Sequence, residues 1–139
     1  MAISTKTVIN IMYTSRIIEE GVSAVLKPYD LTIPQYNVMR ILRGQKGKPA
    51  NLSTIQERMI DKSSNTTRLV DKLIHKGWVK RSVCEENRRK VEILITSSGL
   101  EILKELDPIT ENNNREVLKN LSEDQLVTLN ALLDTLRLT

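Results

Sequence analysis

The sequence predicts a mainly α-helical fold with a small β-hairpin wing, in which a winged helix-turn-helix lobe is joined to terminal dimerisation helices. Three observations support this. Residues 53–96 read as a short helix, a tight turn, a second helix and two strands joined by a basic loop. Long segments at both ends repeat apolar residues at helical spacing. With 3% aromatic residues and no Phe in 139 residues, the predicted core is aliphatic.

The second helix of this stretch has two different sides. One side carries a threonine and four apolar residues at helical spacing, which are expected to pack on the core: Thr66, Leu69, Val70, Leu73 and Ile74. The opposite side starts in a turn of short hydrogen-bonding residues followed by an arginine, which suits base edges and phosphates. The DNA contacts predicted here are Lys62, Ser63, Ser64, Asn65, Thr66, Thr67 and Arg68. A single serine would be explained as a helix cap, whereas five consecutive Ser, Asn and Thr residues favour DNA.

A β-hairpin is predicted after this helix. Gly77 supplies a helix stop, a strand begins at Trp78, and residues 91, 93 and 95 alternate with polar or outward positions. The polar segment 84–89 between the strands suits a hairpin tip. Arginines at such a tip can enter a minor groove, where the potential is most negative. Arg88 and Arg89 are therefore added to the predicted DNA contacts, although most charged hairpin tips are solvated surface loops.

The charge distribution supports a nucleic-acid partner. Residues 40–90 hold 14 of the 21 Lys and Arg residues against five acids, a net charge of +9, which leaves −5 for the two ends. A basic centre on an acidic scaffold is typical of a nucleic-acid-binding lobe. Membrane-surface binding would require one continuous basic amphipathic helix, and none is visible. The single Cys and the lack of an amino-terminal apolar run lead us to expect a soluble, cytoplasmic protein.

The remaining helices are predicted from caps and apolar spacing. A long helix covers about residues 4–27 and ends before Pro28. Three capping boxes are expected to open further helices, at residues 32–35, 53–56 and 122–125. A helix capped by Thr96 contains Pro108, which should kink or split it. We expect one domain over residues 1–139, with a DNA-binding lobe at 30–96 and a helical dimerisation region at 1–29 and 97–139.

Both terminal helices carry more apolar residues than one small lobe can cover. Packing the terminal helices of two copies together would bury them and remove a large exposed patch. A two-fold dimer would also present two recognition helices to a pseudo-palindromic DNA site. The alternative is an unusually compact monomer. We expect a homodimer.

With every element placed, the layout resembles the MarR (multiple antibiotic resistance regulator) family of bacterial transcription factors over nearly the full length. Residues 31–36, LTIPQY, resemble that family's opening of the second helix. Residues 67–73, TRLVDKL, with 77–81, GWVKR, resemble its recognition helix and first wing strand. Residues 87–89, NRR, with 95–99, ITSSG, resemble its wing signature, although Asn87 stands where the family has an acid. Together the four motifs are fairly specific.

The resemblance implies a homodimeric repressor that binds palindromic double-stranded DNA. It implies that Arg89 enters the minor groove with Arg88 beside it. It also implies release of DNA by a small, commonly aromatic ligand held between the dimerisation helices and the lobe. The candidates for lining that crevice are Met12, Tyr13, Arg16, Tyr36 and Met39.

Other functions fit the sequence less well. One His and one Cys cannot furnish a zinc site without several carboxylates. No glycine-rich phosphate loop or nucleophile elbow is present, so we expect no metal, cofactor or catalysis. The main alternative is a winged-helix module that contacts another protein and no DNA. A protein-binding surface at residues 63–68 would be more apolar and aromatic than this one.

Overall fold

The computed structural model describes residues 1–84, 86–87 and 90–139. The helices are α1 (Ile3–Leu26), α2 (Ile33–Gly44), α3 (Leu52–Arg58), α4 (Thr66–His75), α5 (Ser97–Leu118) and α6 (Glu123–Leu136), and a 3-10 turn at Lys27–Tyr29 follows α1. Two strands, β1 (Val79–Val83) and β2 (Val91–Ile95), form an antiparallel hairpin between α4 and α5. The predicted fold class is confirmed.

Two of the three predicted capping boxes are present. In one, the Gln35 N–H donates to Thr32 Oγ1 at 3.3 Å and the Thr32 N–H donates to Gln35 Oε1 at 3.2 Å. The second, at residues 122–125, opens α6 in the same way.

The box predicted at residues 53–56 was wrong. Asn51 is the N-cap of α3, and its Oδ1 accepts from the Thr54 N–H at 2.8 Å. Ser53 lies inside the helix, where its hydroxyl donates to the same Oδ1 at 2.9 Å. An asparagine caps as well as a serine does, and Ile55 of this helix is fully buried in the core.

Among the described residues, the buried apolar core consists of aliphatic side chains, methionines and Tyr36, and most of it lies inside the lobe. Its fully buried side chains come from the end of α1, from α2 to α4, from the hairpin and from the first half of α5. These are Leu26, Val38, Met39, Ile55, Val70, Leu73, Ile93, Leu103 and Leu106. The core therefore joins the ends of two terminal helices to the lobe.

The hairpin is fastened to the carboxyl end of α4. Gly77, with φ of 79°, turns the chain out of α4. Thr96 closes the base of the hairpin, since its N–H donates to the Trp78 carbonyl at 3.0 Å and its hydroxyl to the Gly77 carbonyl at 2.7 Å. Ala50 adds an antiparallel bridge to Ile93 on the other side of β2. The hairpin thus starts from a fixed position relative to α4.

The terminal helices have a different environment. The first 20 residues of the chain are exposed, and α6 contains no buried residue. Helix α5 runs unbroken through Pro108, so the chain is not split there. Residues next to Pro108 bind α2, because Arg43 forms an ion pair with Asp107 at 2.9 Å. In the described ranges, no helix has the length and apolarity needed to cross a membrane.

Candidate nucleic-acid interface

The recognition helix α4 is positioned by its apolar side. Thr66, Val70 and Leu73 are buried, and α4 packs on α2, α3 and β1. Asn65 is the N-cap, and its Oδ1 accepts from the Arg68 N–H at 3.1 Å. The helix therefore presents its polar side and its amino-terminal end to solvent.

The residues predicted to contact DNA do not all lie on that surface. Lys62, Ser63, Asn65, Thr67 and Arg68 are exposed.

Thr66 is a correction to the prediction, because its side chain faces inward. It is only 6% exposed, and its hydroxyl donates to Gln56 Oε1. Ser64 is half-buried, and within the described part of the chain its Oγ has no hydrogen-bond partner. Neither hydroxyl projects toward solvent as a base contact would require.

The turn between α3 and α4 is held by hydrogen bonds to its own side chains. Asp61 Oδ1 accepts from the Ser63 N–H at 2.9 Å and from the Ser63 hydroxyl at 2.6 Å. The Ser63 hydroxyl and then its N–H lower the pKa of the Asp61 carboxyl below its ordinary value of 3.8. The Gln56 side-chain amide donates to the Lys62 carbonyl at 3.0 Å. Ser63 therefore shapes the turn in addition to being exposed.

An ion pair that the sequence analysis did not predict links α4 to the wing. Arg81 on β1 donates to Asp71 Oδ1 at 2.8 Å. Asp71 lies on the exposed side of α4, where an unpaired carboxylate would repel phosphate. The guanidinium of Arg81 supplies the compensating charge. Arg88 and Arg89 lie outside the described residues.

A cavity of about 980 Å³ separates α1, α5 and α6 from α2 and the turn before α4. Its polar features include an arginine–aromatic contact, since Arg40 lies 5.7 Å from the Tyr36 ring centroid. Its apolar lining includes Ile11, Ile18, Val22, Ile33, Ile60, Leu129 and Leu133.

Of the five ligand-contact residues predicted from sequence, only Tyr36 lines this cavity. Met39 is fully buried in the core, while Met12 and Tyr13 are each 68% exposed and Arg16 is exposed as well. Residues 11, 14, 15, 18 and 22 share the side of α1 that faces the cavity. A period of 3.6 residues directs Met12, Tyr13 and Arg16 elsewhere. Met12, Tyr13, Arg16 and Met39 therefore do not line this cavity, and their part in ligand binding stays a prediction.

Comparison with known proteins identifies the family. The sequence model described as MarR family matches residues 31–91, which include α2 to α4 and the start of β2. The HTH-type transcriptional regulator PecS of Dickeya dadantii is 31% identical over 122 residues, covering 86% of this chain and 72% of PecS. The chain belongs to the MarR family.

Solved structures of MarR proteins have the same fold. Escherichia coli MarR, in a mutant form complexed with operator DNA, superposes with a TM-score of 0.82 at 24% identity, covering 98% of this chain and 95% of that one. BpsR of Bordetella bronchiseptica, whose DNA binding is regulated by 6-hydroxynicotinic acid, superposes with a TM-score of 0.84 at 19% identity. This superposition covers 98% of this chain and 96% of BpsR. The family match and the likeness to PecS make this chain a MarR-family transcriptional regulator, and the resemblance seen in its motifs is confirmed.

Proposed function

We propose that this MarR-family regulator represses transcription by binding a pseudo-palindromic operator as a homodimer. The observation that carries the proposal is the exposed polar end of α4, where Asn65, Thr67 and Arg68 project from a helix whose other side is buried. Each copy inserts this end into the major groove of double-stranded DNA. Escherichia coli MarR, a protein of the same fold, has been crystallised with operator DNA.

The proposed contacts have different roles. Thr67 and Arg68 read base edges, because an arginine pairs well with guanine in the major groove. Lys62 and Ser63 contact the backbone, and Asn65 caps the helix beside it. We assign Ser64 and Thr66 to positioning the helix, since neither hydroxyl faces solvent. On the sequence pattern, Arg88 and Arg89 remain the proposed minor-groove contacts.

A second copy of this chain is the proposed occupant of the terminal helices. Helix α1 exposes apolar side chains, and so does α6, where Leu132 is 62% and Leu136 is 64% exposed. Joining the two helices of two copies would bury these residues, which otherwise form a liability in water. We place the DNA-binding lobe at residues 30–96 and the dimerisation region at 1–29 and 97–139. Leu26, Leu103 and Leu106 belong to the dimerisation segments but anchor them in the lobe core.

We further propose that a small aromatic ligand enters the 980 Å³ cavity and releases DNA. Support comes from the apolar lining, from Arg40 as a cation near the Tyr36 ring, and from the regulation of BpsR by 6-hydroxynicotinic acid. The cavity also touches Asn37, whose Oδ1 accepts from the Ile60 N–H at 2.9 Å in the turn that leads to α4. The proposal assigns the chain no catalytic role. A transcriptional regulator of bacterial genes would act in the cytoplasm.

Selection of bound fragments from random duplex DNA by the purified protein tests the proposal. We expect enriched fragments with two inverted half-sites about one helical turn apart. Arg68→Ala should relax the sequence preference at one position of each half-site, whereas Lys62→Ala should weaken all sequences alike. Recovery of no DNA, with retained binding to a protein partner, would instead support a protein–protein module.

A further inference from the structure

A second groove, of about 850 Å³, lies between the outer side of α4 and the segment that joins α1 to α2. It is separate from the cavity beside α5 and α6, and most of its side chains are polar or charged. Its basic and acidic lining residues are Lys27, Asp30, Arg68, Asp71, Lys72, His75 and Lys76. Arg68, Lys72 and His75 are spaced along one side of α4, so this groove extends the exposed polar end of the recognition helix.

The acids of the groove are already paired. Asp30 lies 3.3 Å from Lys76 Nζ, and Asp71 lies 2.8 Å from Arg81 on the wing. Among the residues that the structure describes, no carboxylate lies within ion-pair distance of Lys27, Arg68 or Lys72. The groove therefore has uncompensated positive charge contributed by two separate parts of the chain.

Lys76 fixes the two walls of the groove relative to each other. Its side chain is only 20% exposed, and its Nζ donates to the Asp30 carbonyl as well as pairing with the Asp30 carboxylate. The same ammonium lies 5.2 Å from the Trp78 ring centroid. Since Asp30 has a left-handed φ of 54°, the segment after α1 turns sharply at this contact. Lys27 is consequently held opposite α4 by a defined loop.

We propose that this groove receives the sugar-phosphate backbone of the DNA strand that borders the major groove entered by α4. Lys27 and Lys72 are the phosphate contacts, and they flank the groove from the 3-10 turn after α1 and from the last turn of α4. This inference rests on the proposed DNA binding and extends it to residues outside the turn before α4. It makes the 3-10 turn that follows α1 part of the DNA-binding surface, so the position of α1 bears directly on operator affinity.

The salt dependence of DNA binding tests the inference. Each neutralised phosphate contributes about 0.9 to the slope of log K against log salt concentration. We expect Lys27→Ala and Lys72→Ala each to reduce the magnitude of the slope by about 0.9 for every bound subunit, with the order of sequence preference unchanged. Fluorescence anisotropy with one selected operator and one unrelated duplex, at several salt concentrations, measures both quantities.

Matched variants separate a phosphate contact from a general change of charge. Lys104→Ala removes the same charge from an exposed position of α5 outside the groove and should leave the slope unchanged. Lys27→Arg and Lys72→Arg retain the cation and should retain the slope.

Two outcomes overturn the inference while the proposed function stands. In one, the wild-type protein and both alanine variants bind the operator with the same slope of log K against log salt concentration. The other is a loss of inorganic phosphate binding in those variants with unchanged DNA slopes, which would make the groove a site for small anions. A wild-type protein that binds no duplex would overturn the proposed function together with the inference.

Discussion

The lobe and the terminal helices use the same apolar residue types in opposite ways. In α4, the lobe buries Val70 and Leu73 completely, whereas in α6 the chain leaves Leu132 and Leu136 more than 60% exposed. Both helices carry apolar residues at helical spacing. The difference is that α4 has neighbours within the chain on its apolar side, and α6 has no buried residue at all.

This difference separates two kinds of stability. The lobe is held by contacts within one chain, so its unfolding should not depend on protein concentration. If the terminal helices pair between copies, their order should depend on concentration, because association obeys mass action. The exposed side of α4 is positioned by contacts within one chain. The distance between the α4 helices of two copies would depend on how the terminal helices associate. Substitutions in the two regions should therefore have different effects.

The largest expected effect is in the lobe core. Leu73→Ala removes a fully buried side chain and should lower the free energy of unfolding by about 2–5 kcal/mol, because it loses apolar burial and leaves a cavity. Urea denaturation followed by circular dichroism at two protein concentrations measures the change. The loss should be equal at both concentrations. A loss that disappears at high concentration would show that the lobe also depends on association.

Gly99 gives the next largest effect, and Gly21 is its control. A Cβ at Gly99 would lie 2.3 Å from the Trp78 carbonyl oxygen, so α5 would have to shift away from the base of the hairpin. We expect Gly99→Ala to cost about 1–3 kcal/mol. At Gly21 the nearest atom would be Asn113 Oδ1 at 3.4 Å, an ordinary contact.

Gly21→Ala should therefore stabilise α1 by up to about 1 kcal/mol through helix propensity. Thermal unfolding of both variants compares the two positions. A higher melting temperature for Gly99→Ala than for wild type would contradict the close packing of α5 on Trp78.

A charge on the apolar side of α6 should act on association instead of folding. Leu132→Asp places a carboxylate among exposed apolar residues and should weaken a dimer at least tenfold, about 1.4 kcal/mol, with the lobe still folded. Sedimentation velocity across a concentration series measures the dimer, and tryptophan fluorescence at Trp78 reports on the lobe. Asn130→Asp adds the same charge on another side of α6 and should leave the dimer intact. Equal weakening by both variants would favour a general charge effect.

The sequence predicted the lobe better than its edges. The buried and exposed sides of α4 follow from its spacing, and the boxes opened by Thr32 and Ser122 follow from local chemistry. The start of α3 did not follow, because Asn51 and Ser53 are both good caps and only packing decides between them. The sequence pattern placed Thr66 both on the inward side of α4 and in its polar amino-terminal turn. The burial of Thr66 shows that its side chain faces inward.

The side of α1 that lines the cavity could not be predicted for a related reason. Apolar residues cover most sides of α1, so the period cannot show which side faces the lobe. Helix phase relative to other elements is a tertiary property. Lys27 could not be predicted as a DNA-side residue either, because it lies 45 positions before Lys72 and reaches the same groove only through the fold. The Asp71–Arg81 ion pair could not be predicted for the same reason, because the fold brings α4 and β1 together.

The smallest expected effect concerns pH, and it compares the turn before α4 with the end of α5. Hydrogen bonds from Ser63 lower the pKa of Asp61 below 3.8, so the turn gains stability above that pH and loses it as the pH falls through the folded value. Ser63→Ala removes the largest cause and should raise the pKa of Asp61, as carboxyl NMR titration would show. At the end of α5, Glu116 raises the pKa of Lys119 above 10.5, so that contact is instead present below this pH and is lost as the pH rises through the folded value. Ser63→Ala should leave Lys119 unchanged, and an unaltered Asp61 titration would mean that the hydroxyl of Ser63 does not hold the turn in solution.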